Sequence, residues 1–160
     1  MKKIILAFIF TALNAHAVGG HDQGGGGDLC EDRIKIIRDD LKSWIQKGGS
    51  QSLTLRAGVN ASQYSVDMLK QLDLAQVKCV SAGDAGYPIA VSGIAKTCRF
   101  DIVQNVSSIT CDFKKFQAAS DSDQYILIHH EYAGLAGIEL PREGDSSYNT
   151  SSIKWSKSWR

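Results

Sequence analysis

The residues with the clearest chemical potential lie in one run, Ser120–Glu139, SDSDQYILIHHEYAGLAGIE. It holds His129, His130 and Glu131; the other two histidines are His16, near the start of the chain, and His21, in a glycine-rich stretch. Zinc hydrolases present H-E-x-x-H on a helix because imidazoles at i and i+4 can grip one ion while the glutamate activates its water. Here the run reads His130-Glu131-Tyr132-Ala133-Gly134, with glycine where the second ligand would stand. In the longer pattern H-E-x-x-H-x-x-G-x-x-H, Gly137 matches the glycine and Leu140 replaces the third histidine.

Glycine has no side-chain donor, so zinc at this place requires a non-standard ligand set: His130 or His129 with Glu139 or Asp145 brought round by the turn after Gly137. Adjacent helical residues point about 100° apart, so His129 and His130 do not suit one ion while the helix stays regular. Without metal, Glu131 and a histidine can serve as base and acid in a cleft, although no serine or cysteine is marked as a nucleophile beside them. The structural alternative is that His130 and Glu131 hydrogen-bond a turn and fasten the segment around Tyr148 to the core. Gly134 and Gly137 then support packing and the turn.

The elements that must position this cluster are legible to different degrees. Ser120 followed by Asp123 has the spacing of a capping box with Asp in place of Glu, and Asp121 adds negative charge where the helix dipole favours it. That predicts a helix from Asp121, losing order near Gly134–Gly137. A first helix is predicted from Asp28, with Glu31 completing a capping box and Gly48-Gly49 ending it. Its buried stripe is Cys30, Ile34, Ile37, Leu41 and Trp44 or Ile45. Ser52–Arg56 alternates as a short strand, and Asn60 or Ser62 caps a second helix to about Leu72 carrying Tyr64, Met68 and Leu72. Ala75–Val80 and Ile89–Ser92 read as strands, with Gly83, Gly86, Pro88 and Gly93 as turns. Thr97–Asp112 reads as a hairpin about Gln104-Asn105, placing Cys98 opposite Cys111, Phe100 opposite Ile109 and Ile102 opposite Ser107. Pro141–Asp145 reads as a turn, and Ile153–Arg160 as a terminal helix packing Trp155 and Trp159 on the body.

The ends and the cysteines bear on compartment. Met1, Lys2 and Lys3, an apolar run Ile4–Leu13 and Ala15-His16-Ala17 together make the three parts of a signal peptide, residues 1–17. Val18–Gly27, VGGHDQGGGG, reads as a flexible leader before a single domain, residues 28–160. Only cleavage after Val18 would expose Gly-Gly-His, a copper or nickel ligand set, and the small-residue rule favours Ala17. Export makes the even count of four cysteines a disulfide expectation. Cys98–Cys111 is the favoured bridge, leaving Cys30–Cys79, out of three possible connectivities. Their spacing fits no thiolate zinc site. Without Lys2 and Lys3 the 18 basic residues become 16 against 17 acidic, a net charge of −1. That balance implies neither nucleic acid nor an anionic membrane as partner, and no later stretch is long enough to span a bilayer. The acceptor patterns at Asn60, Asn105 and Asn149 are given no role beside a bacterial-looking signal.

The segments KTCRF, ITCDF, DSDQYILIHHEYAGLAGIE and DSSYNTSSI, in that order, resemble a family of small uncharacterised exported proteins from predatory bacteria. The resemblance covers roughly Tyr64 to Ile153, and HHEYAGLAG is its most specific part. It implies one domain and a role for His130 and Glu131, and carries no reaction. The order of helix, strands, hairpin and His-Glu helix is also similar to a minimal zincin core, an analogy of layout alone. The expectation is an α+β domain, a small antiparallel sheet with a Cys-bridged hairpin packed against helices. Its expected role is an exported, disulfide-stabilised interaction or structural module with an unidentified envelope or extracellular partner, in the periplasm or the medium. The alternative is a zinc-dependent hydrolase using His130 and Glu131.

Overall fold

The computed structural model describes residues 26–139 apart from Thr54, Arg56 and Ala57. The signal segment, most of the leader, and the expectations for Leu140, the Pro141–Asp145 turn, Tyr148 and the tryptophan tail lie outside the described residues.

Helix α1 (Gly26–Gln46) buries Cys30, Ile34, Ile37, Leu41, Trp44 and Ile45, the stripe that its 3.6-residue spacing predicts. It begins two residues before the predicted cap, so Gly26 and Gly27 belong to its first turn and Asp28 lies inside it. Glu31 does not close a capping box: its Oε1 accepts the backbone N–H of Cys79 at 3.0 Å. The reason is adjacent in sequence, because a disulfide joins Cys30 to Cys79 and holds that strand amide against the Glu31 carboxylate. After α1 the chain turns at Gly48 (φ 82), and Gly49 lies under the Trp44 indole, where an added Cβ would sit 2.2 Å from the ring.

Gly49–Ser52 is a 3-10 turn, which corrects the strand predicted over Ser52–Arg56. Leu53 and Leu55 pack on the core without strand pairing among the described residues of that stretch. Their alternation makes a one-sided apolar surface, and packing on the core satisfies it without strand pairing. Helix α2 (Ala61–Leu74) is capped by Asn60, whose side chain accepts from the N–H of Gln63, and buries Tyr64, Met68 and Leu72.

Strand β1 (Gln76–Val80) follows at once. The short strands β2 (Ala90–Val91) and β3 (Ile94–Ala95) pair with each other. The hairpin β4 (Cys98–Val103) and β5 (Val106–Asp112) has the predicted register about Gln104 and Asn105, which take φ 50 and 64. Residues at φ near +50 to +60 in both central positions match the twist of a two-residue hairpin. The main sheet has the order β1-β5-β4, and β1 pairs with β5 in parallel. It is therefore mixed rather than wholly antiparallel, with the most buried strand, carrying Ile109 and Cys111 at 0% exposure, in the middle.

A helix that the sequence reading missed, α3 (Phe113–Ala118), starts directly after β5, where the Asp112 side chain accepts from the N–H of Lys115. It buries Phe116 and leads into α4 (Asp121–Leu135). Both expected disulfides are formed, Cys30–Cys79 and Cys98–Cys111. By the chain-entropy argument they contribute about 4 and about 3 kcal/mol respectively. The architecture is α+β. Among the described residues no helix is long and apolar enough to cross a membrane.

Candidate functional site: the His-Glu cluster of helix α4

Helix α4 is fixed at both ends, by local contacts and, at its start, by a residue of α1. At its start Ser120 Oγ accepts the N–H of Asp123, and Arg33 of α1 binds Asp121 at 2.8 Å and Gln124 at 2.9 Å. At its end Gly137 takes φ 68, a conformation glycine adopts without the steric penalty of a Cβ. Ile138 and Glu139 then both donate their N–H groups back to the carbonyl of Ala133, at 2.9 and 3.2 Å. That reversal returns Glu139 along the helix to His130, with Nδ1 and Oε2 2.6 Å apart.

The two neighbouring imidazoles then have different surroundings. His129 is fully buried, and its Nε2 lies 2.6 Å from the hydroxyl of Tyr64 on α2. The two rings stack at 24° between planes, and the Trp44 ring meets Tyr64 edge-on. Burial holds His129 down to about 4, with the His130 charge acting in the same direction and the Glu139 charge against it. Burial, and then the charge of Glu139, pushes the Tyr64 phenol well above its ordinary value. At neutral pH the phenol therefore stays protonated and the imidazole uncharged, and the two share this hydrogen bond.

His130 keeps 23% of its side chain exposed, while that of Glu139 is fully covered. Burial alone would lower the His130 pKa. The hydrogen bond to Glu139, with the charges of Glu131 and Glu139, outweighs burial and the opposing Lys96, so the net direction is upward. Glu139 therefore holds the His130 proton more firmly than burial alone would allow, with Nδ1–H donating to its carboxylate.

Glu131 points to the sheet. It is 4% exposed, and its carboxyl accepts the backbone N–H of Phe100 on β4. Burial pushes it up to about 7, with Asp101 adding to the rise and His130, the Phe100 amide and Lys96 restraining it. One turn further along α4, the Phe100 ring lies over Gly134, where an added Cβ would sit 2.2 Å from Cε1. The glycine that replaces the second zinc ligand is thus the seat of an aromatic side chain.

Of the predicted site residues, the structure brings His130 and Glu139 together, turns His129 away to α2, and places Glu131 and Gly134 against β4. Among the described residues no three His, Cys, Asp or Glu side chains gather round one point. The place of the second ligand in the H-E-x-x-H pattern, Gly134, is packed onto Phe100, while Asp145 of the expected non-standard set lies outside the described residues. Two participants were not foreseen. Tyr64 was legible only as a core residue of α2, and Phe100 only as a hairpin position opposite Ile109. Chemically, the cluster can hold protons and satisfy buried backbone groups: one neutral imidazole, one histidine–carboxylate pair, and one carboxyl pushed up to about 7. No family model, curated protein or solved structure matches the chain.

Proposed function

We propose that the chain is an exported, disulfide-stabilised module of the cell envelope or the surrounding medium, acting by binding or structural support rather than by metal-dependent hydrolysis. The observation that carries this reading is the Phe100 contact: its ring occupies the space above Gly134 while its amide is bound by Glu131. Two residues of the motif thereby dock a strand. The two disulfides agree with an oxidising destination. The decisive experiment measures zinc in the purified protein and the melting temperature of His130→Ala. A stable protein that holds no zinc, and loses stability on the substitution, is the expected result. About one tightly held zinc per chain, released by His130→Ala, would overturn the proposal.

The hydrolase alternative has one observation in its favour. His130 is partly exposed and oriented through Nδ1 by a buried carboxylate, with Glu131 titrating near neutrality beside it, and groups of that kind perform acid–base work when a substrate reaches them. Hydrolysis of a peptide or ester panel, abolished by both His130→Ala and Glu131→Gln in folded protein, would select it.

A further inference from the structure

We draw no further inference here: the strongest candidate, the exposed aliphatic tip of the β4–β5 hairpin formed by Ile102, Val103 and Val106, carries nothing because nothing in the structure shows what covers it.

Discussion

His129 and His130 are consecutive residues on one helix, yet the first faces α2 in complete burial and the second stands beside Lys96 and Glu139 with part of its ring in solvent. On the α2 side the imidazole is kept neutral by desolvation and hydrogen-bonds a phenol. On the other side desolvation is again the largest influence, but the Glu139 hydrogen bond together with the charges of Glu131 and Glu139 outweighs it, and the His130 pKa is raised. The residue type is the same, so the protonation state is decided by what the fold brings opposite each ring. Helical geometry makes the division possible, because successive side chains diverge by about 100° and enter different interfaces.

The comparison is broken most severely at its buried end. His129→Ala removes a fully packed ring and leaves the Tyr64 hydroxyl without that partner, and should lower unfolding free energy by about 3–5 kcal/mol in urea titrations. A loss below about 1 kcal/mol would show that the α2 side is far less tightly organised than described.

The second test is pH dependence. His129, held down to about 4 in the fold, contributes stability that is complete above its ordinary value of 6.5 and lost as pH falls through 6.5 towards 4. Glu131, pushed up to about 7, works in the opposite direction: its contribution is complete below 4.5 and lost as pH rises through 4.5 towards 7. Each amounts to roughly 3 kcal/mol at 1.4 kcal/mol per pH unit, so between pH 4.5 and 6.5 the two slopes oppose each other. Glu131→Gln keeps an acceptor for the Phe100 amide and removes one slope. Its stability should rise with pH across that window more steeply than that of the parent protein. Parallel profiles for the two proteins would refute the assignment of Glu131.

The third test concerns the strand side. Gly134→Ala should cost about 1–3 kcal/mol through crowding of Phe100, despite the better helix propensity of alanine. In Phe100→Ala the same substitution should be neutral or stabilising, which a double-mutant cycle reads directly. Additive effects would mean that ring and glycine do not touch. The smallest effect is expected for His130→Gln, about 1 kcal/mol near pH 6, because the amide can still donate to Glu139 and the site is partly wet. A loss as large as that of His129→Ala would erase the distinction between the two sides.

What could be read from the sequence was mostly local. The α1 stripe, the Asn60 and Ser120 caps, the hairpin register and hence the Cys98–Cys111 bridge all follow from periodicities or spacings within about fifteen residues. Cys30 was assigned to Cys79 by elimination, and the placement of Cys30 on the buried stripe made the pairing physically reasonable. The rest depended on distant partners. AQVKCV announces a strand but not its direction, so the parallel pairing with β5 was invisible. Glu31 looked like a capping residue because its competitor, the Cys79 amide, arrives from far along the chain. At the candidate site the sequence showed glycine at position 134 and offered Glu139 or Asp145 as partners for His129 or His130, and the fold brings Glu139 to His130. It could not show Phe100 filling that gap or Tyr64 claiming His129, because neither contact leaves a periodic trace.

The Cys30–Cys79 bridge has a consequence for proteolysis. Because it spans 49 positions, one clip anywhere between them would leave two pieces that still travel as a single covalent molecule. Such nicked protein would run at full size on a gel until a thiol was added, and would then separate.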